Sequence, residues 1–174
     1  MTTTSGRTTR RLTPTTRKLL LLTHIVVSVG WLGLSVGNLT LAITGLTTDD
    51  PGTQHTALGA MYLIGGPLLI PVSLLALVSG VLLGTYTKWG LVRYRWVLVK
   101  LALTVVAVVL IPLSLLPGLA ELSRLMADTP QDRLADTGPL ALDMLAAGLV
   151  STSMYVTNAV LSVLKPWGRT RRVA

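Results

Sequence analysis

The chain has 174 residues, 51% of them apolar and 13% charged, with a net charge of +8 and no cysteine. The missing cysteine excludes disulfides, thiolate catalysis and cysteine-held metal or iron–sulfur centres. The mean hydropathy of +0.65 points to a membrane bundle rather than a soluble domain, because only lipid accommodates uncharged apolar runs of about 20 residues.

Residues 1–18, MTTTSGRTTRRLTPTTRK, carry almost no apolar side chain and are expected to form a disordered basic tail. The apolar run that follows is too long for a signal peptide and has no small-residue cleavage site, so it reads as an uncleaved first span. Four spans are expected, at about 19–45, 59–84, 94–116 and 140–164, within a membrane domain of 19–165. Pro67 and Pro71 fall inside the second span and should kink it. Pro112 lies in the far half of the third span, and Pro117 should end it. Leu119, Leu122 and Met126 then space one apolar face of a short helix over 118–128, expected to lie on the outer membrane surface. Residues 166–174 form a second basic tail.

Charge placement sets the expected topology. Arg7, Arg10, Arg11, Arg17 and Lys18 precede span one. Lys88, Arg93 and Arg95 sit between spans two and three, and Lys165, Arg169, Arg171 and Arg172 follow span four. The first loop has Asp49 and Asp50 and no cation. An excess of Lys and Arg marks the cytoplasmic side, so the fold class is an all-α four-helix transmembrane bundle with both termini cytoplasmic. Tyr86, Trp89, Tyr94, Trp96 and Trp167 then fall at the cytoplasmic interface. The basic clusters adjoin apolar spans and suit lipid headgroups, which argues against a nucleic-acid partner.

Polar side chains within spans are costly in lipid and tend to face the bundle interior. At about 1.5 Å per residue, His24 and Lys100 each lie roughly 8 Å in from the cytoplasmic side, with Asn158 and Ser79 near the same level. His24, Lys100 and Asn158 form the candidate binding layer. His24, Ser28, Trp31, Ser35 and Asn38 share one stripe of the first helix. Gly33 and Gly37 would let another helix approach closely. Plainer readings stand beside these. Lys100 can reach the headgroups along its own stem, His24 can bond a carbonyl one turn back, and Asn158 and Ser79 can join helices without doing chemistry. Asp143, in the first turn of span four, suits the helix dipole there.

Haem is the cofactor to test. The only other histidine, His55, reads as a solvated residue of the first external loop, so one chain does not supply a bis-histidine site. His24 alone would serve a five-coordinate haem, or two copies would pair across a dimer axis, and Met154 is a poor second ligand. No nucleotide-binding loop, nucleophile elbow or zinc pattern is present.

The stretches KLLLLTHIVVSVGWLG, KWGLVRYRWVLVKLALTVV and LSVLKPWGRTRR resemble a group of small four-span integral membrane proteins of actinobacteria with no assigned function. The resemblance covers about 17–172. It implies a multi-pass protein of the bacterial plasma membrane. His24 with Trp31, and Trp96 with Lys100, are also similar to HemJ-type protoporphyrinogen oxidases and copper-resistance D-type membrane proteins. That similarity implies that His24 and Lys100 face each other, and makes haem b or a porphyrin the cofactor to consider, with His24 as the ligand if haem is bound. The long charged third loop departs from the HemJ pattern.

Three functions therefore remain open: a membrane-embedded binding or accessory protein using the polar layer; a haem- or porphyrin-associated redox protein using His24 and Lys100; and a structural subunit of a membrane complex. The lipid bilayer is the expected partner, with a homodimer or a larger membrane assembly as further ones.

Overall fold

The computed structural model describes residues 12–87, 90–168 and 170. The expected disorder of 1–11 and the charges at Lys88, Arg169, Arg171 and Arg172, with Trp89, lie outside them.

The described chain is helical and folds up and down. Helix α1 spans Pro14–Thr47 and α2 spans Pro51–Tyr86. Helix α3 (Arg95–Leu110) passes through a π turn at Ile111–Leu115 into α4 (Leu116–Asp128), and α5 spans Gly138–Leu164. Four helical stretches, with α3 through α4 counted as one, are long and apolar enough to cross a membrane. They form a ring in which α1 and the α3–α4 rod each pack against both α2 and α5.

The helices start where sequence chemistry permits. Thr13 caps α1, its hydroxyl accepting from Thr16 N at 3.2 Å with Pro14 in the first turn. Helix α1 thus begins inside the segment expected to be disordered. The first loop shrinks to Thr48–Asp50, because Asp50 caps α2 eight residues earlier than expected. Its carboxylate accepts from Thr53 N at 2.8 Å and Thr53 Oγ1 at 2.7 Å. Those bonds favour the ionised form and hold the Asp50 carboxyl below its usual 3.8. A depressed folded-state value means that the cap contributes fully above pH 3.8 and is lost as pH falls through the lower folded value. In an acid titration followed by circular dichroism, Asp50→Asn should therefore keep the cap and flatten that acid limb.

The end of the third span differs most from expectation. Pro112 and Pro117 supply no N–H, so α-type bonds to the carbonyls of Val108 and Leu113 cannot form. The helix does not stop. It widens by a π turn, in which Leu116 N bonds Ile111 O, and then continues. Leu119, Leu122 and Met126 do share one face, but that face packs against α2 within the bundle and is 1%, 0% and 3% exposed. The segment expected to rest on the membrane surface instead prolongs the third span. Pro67 and Pro71 leave α2 continuous.

Polarity is inverted relative to a protein in water. Leu63, Leu113 and Val163 are 76%, 72% and 77% exposed on the bundle's outer faces, while Ser35, Ser73 and Ser79 are buried. An apolar exterior of that extent suits hydrocarbon. Close packing rests on specific glycines: a Cβ on Gly45 would lie 2.5 Å from Leu58 Cγ, so the bare Gly45 is what admits the fully buried Leu58 between α1 and α2. The close approach expected at Gly33 and Gly37 is not made among the described residues, since nothing lies within 4 Å of a Cβ built at either.

The connection between α4 and α5 is anchored to the start of α2. Gln54, 8% exposed, donates from Nε2 to Ala135 O at 3.3 Å and accepts from Ala135 N at 2.7 Å. His55 is not a solvated loop residue. It is buried in the second turn of α2, and Nε2 bonds Arg133 O at 3.1 Å. At the terminal end, Thr170 holds the α2–α3 loop, its N–H donating to Arg93 O at 2.9 Å and its hydroxyl to Val92 O at 2.7 Å.

Candidate functional site

The polar layer forms near the end of the bundle that carries the two chain termini. It consists of two linked pairs. On the α1–α2 side, His24 Nδ1 meets Ser79 Oγ at 2.9 Å. Ser79 has one hydroxyl proton, and Leu75 O lies 2.6 Å from its oxygen, so the hydroxyl donates within its own helix. Ser79 therefore accepts from His24, which places the imidazole proton on Nδ1. The Ala76 backbone is a further hydrogen-bond partner of the ring. Room for the ring comes from Gly80: a Cβ there would lie 3.1 Å from His24 Cε1. Gly80→Ala should displace the ring from Ser79, and the ¹⁵N shifts of the His24 imidazole in labelled protein would report the lost Nδ1 bond.

On the α3–α5 side the bonding is reciprocal. Lys100 Nζ donates to Ser162 Oγ, and Ser162 donates to Asn158 O at 2.8 Å. Asn158 Nδ2 donates to Thr104 Oγ1 at 3.3 Å, and Thr104 donates to Lys100 O at 2.8 Å. Each hydroxyl thus spends its proton on its own helix and accepts from the facing one. Asn158 Oδ1 is left buried and without a partner. The Trp96 ring centroid stands 6.0 Å from Lys100 Nζ, at the outer reach of a cation–π contact.

His24 and Lys100 lie close enough to interact electrostatically. No hydrogen bond joins the pairs directly. Lys100 has no carboxylate partner among the described residues, where the one ion pair is Arg124 with Glu121. Ser79 and Gly80 stand beside His24, and Ser162 and Thr104 beside Lys100 and Asn158. Ser162 and Thr104 were legible as i+4 neighbours of Asn158 and Lys100; Gly80 had no sequence signal.

Two cavities in the bundle, of about 20 and 90 Å³, are lined by none of His24, Lys100 and Asn158. Pockets that enclose organic ligands run to roughly 300 Å³ or more. No three His, Asp or Glu side chains gather as a metal site among the described residues. His55 lies 24 residues from Ser79 along α2, about 36 Å, so one chain does not bring both histidines to one ring. Comparison with protein-family models, with curated proteins and with solved structures finds no match.

Proposed function

We propose that this chain is a multi-pass binding protein of a bacterial plasma membrane, cytoplasmic at both ends, whose His24–Lys100 layer holds the anionic group of an amphiphile from the inner leaflet. The observation that carries this reading is the Lys100 ammonium. It is set inside a helical bundle, its hydrogen bond goes to the neutral Ser162 hydroxyl, and no acid neutralises it among the described residues. A charge in that position is costly unless a counter-charge joins it. His24 adds a ring that can carry a second donor when protonated. The basic residues at both ends and in the second loop support the orientation. A reporter fused after Ala174 should read as cytoplasmic; an external reading sinks the topology.

Native mass spectrometry of the intact protein, released from nanodiscs with phosphatidylglycerol, oleate or inorganic phosphate added, tests the site and separates the sources of the anion. The expected result is a retained adduct with at least one of these in the unmodified chain and its loss in Lys100→Ala and His24→Ala. Equal retention in all three proteins would remove the layer as the binding site.

A second reading is favoured by the His24 imidazole, whose Nδ1 meets Ser79, so that Nε2 is the atom that would ligate haem iron. In it His24 would hold the iron and Lys100 would pair with a propionate, with the macrocycle on the lipid-facing side of the layer or between two copies, since neither cavity borders His24. Haem would supply one-electron chemistry. A Soret band that His24→Ala abolishes in protein supplied with haem would favour it over the anion reading; its absence from the unmodified protein counts against it.

A further inference from the structure

The pairing of α1 with α5 fixes the level at which His24 stands. The Ser35 hydroxyl lies 3.0 Å from Ser151 Oγ, and Leu39 packs on Gly148, so the two helices run antiparallel in that register. His24 is eleven residues before Ser35, and Ser162 is eleven residues after Ser151. Eleven residues make about three turns, which returns each side chain to the same face of its helix roughly 16 Å farther on. The register thus sets His24 level with Ser162, the residue that accepts from Lys100. Two nitrogen bases, one on α1 and one on α3, occupy a single level and interact electrostatically.

The hydroxyls of the layer have no proton to offer a ligand. Ser79 donates to Leu75 O at 2.6 Å, Thr104 to Lys100 O at 2.8 Å and Ser162 to Asn158 O at 2.8 Å. An anion there is therefore held by N–H groups. Lys100 has three and commits one to Ser162. Neutral His24 has one, which Ser79 accepts, and it gains a second only by taking up a proton. Among the described residues, Lys100 is the charged group that acts on His24. At this level α2 presents Ser79 and Ala76, and α5 presents Ser162; none of them titrates. The nearest titratable groups on those helices, Tyr86 and Tyr155, are each seven residues farther along, about 10 Å. On α1 itself, Arg17 and Lys18 lie toward the terminus.

This inference rests on the anion-holding reading of the layer: we propose that the ligand is a phosphomonoester amphiphile, whose dianionic headgroup enters together with one proton that His24 takes up. A phosphodiester or a carboxylate carries one negative charge, which Lys100 balances alone, leaving His24 with nothing to hold. A phosphomonoester carries roughly 1.5 to 2 negative charges at neutral pH, and the second calls for an imidazolium. Two cations side by side repel each other, and a dianion between them reverses the balance. No covalent bond changes, and the proton comes from water. The complex holds one proton more than its separate partners, so affinity rises as pH falls and is lost as pH rises. Inorganic phosphate shares this chemistry.

Isothermal titration calorimetry of the intact protein in phosphatidylcholine nanodiscs tests it. The probes are short-chain phosphatidic acid, short-chain phosphatidylglycerol and inorganic phosphate at about pH 8, each in two buffers of different ionisation enthalpy. At that pH the monoester is already largely dianionic and a free imidazole, titrating near about 6.5, is neutral. The expected result is phosphatidic acid bound about tenfold tighter than phosphatidylglycerol, with about one proton taken up and an affinity that falls about tenfold per pH unit. His24→Gln keeps a neutral N–H donor, and should lose the proton uptake and the preference while retaining weak binding through Lys100. The same uptake and affinity with inorganic phosphate would support the dianion and place its source in the aqueous phase. Equal affinity for the two lipids without proton uptake, or undiminished uptake in a folded His24→Gln protein, would overturn the proposal and leave the anion reading standing. Binding of none of the three by the unmodified protein would remove both.

Discussion

Replacing Lys100 with methionine should leave the bundle at least as stable in a purely zwitterionic bilayer and remove its stabilisation by an anionic amphiphile. Methionine matches the length of the lysine stem without its charge, so the desolvation cost of the ammonium disappears. Ser162 loses a donor but keeps its own bond to Asn158 O, and no buried group is orphaned by the exchange. Where an anion is held at the layer, a concentration a hundred times Kd stabilises the unmodified protein by about 2.7 kcal/mol, and that increment should vanish in Lys100→Met. Lys100→Arg, which keeps a cation at the same depth, should retain most of it. Thermal unfolding in phosphatidylcholine nanodiscs, with and without phosphatidylglycerol, reads both quantities. The basic termini also attract anionic lipid, so the comparison between variants carries the test. A Lys100→Met protein that responds as the unmodified chain does would assign the whole response to the tails.

Gln54→Leu should produce the largest loss of stability among single polar substitutions. The Gln54 amide satisfies both backbone groups of Ala135, which is 7% exposed, and leucine leaves that N–H and C=O without partners. At about 1–3 kcal/mol for each buried group left unmade, the two together come to roughly 3 kcal/mol. The effect should be local first: the segment between α4 and α5 detaches from α2, and trypsin should cut at Arg133 well before the helices unfold. His55→Leu removes one bond from the same anchor and should cost about 1 kcal/mol. Gln54→Glu keeps an acceptor for Ala135 N–H, loses the donor to Ala135 O, and should fall between them. Undiminished protease resistance in Gln54→Leu would show that the loop is held by other contacts.

The site was legible as far as depth along each helix could take it. His24, Ser79, Lys100 and Asn158 stand at one level because each lies a similar number of residues from a charged boundary, and a rise of about 1.5 Å per residue makes that count a distance. Depth carries no information on azimuth. Whether Lys100 runs to the headgroups or turns inward to Ser162 depends on how α3 is rotated against α5, and the hydrophobic pattern leaves that open because nearly every position is apolar. The same degeneracy hid the glycines. Gly33 and Gly37 have the spacing of a helix-packing pair yet face no neighbour, while Gly45 and Gly80, with no motif around them, admit Leu58 and the His24 ring.

Two readings failed for a shared reason. The sequence reads His55 as a solvated loop residue and the helix over 118–128 as lying on the outer membrane surface, since polar residues or a proline separate each from the apolar runs. Tertiary contact reversed both. Gln54 and His55 found backbone partners at Ala135 and Arg133, so their segment joined α2. The π turn let α3 pass two prolines and bring Leu119, Leu122 and Met126 onto α2.

The sequence by itself determined the all-helical class and the number of apolar stretches long enough to cross a membrane, because continuous apolar runs of about 20 residues fit spanning helices and not the alternating strands of a barrel. It also determined the polar residues on which any binding has to rest. Only the tertiary structure decided which of them meet, that His24 bonds Ser79, and that no acid pairs with Lys100 among the described residues. Those features depend on helix rotation and on contacts between residues far apart in the chain, which the spacing of side chains along one helix does not encode.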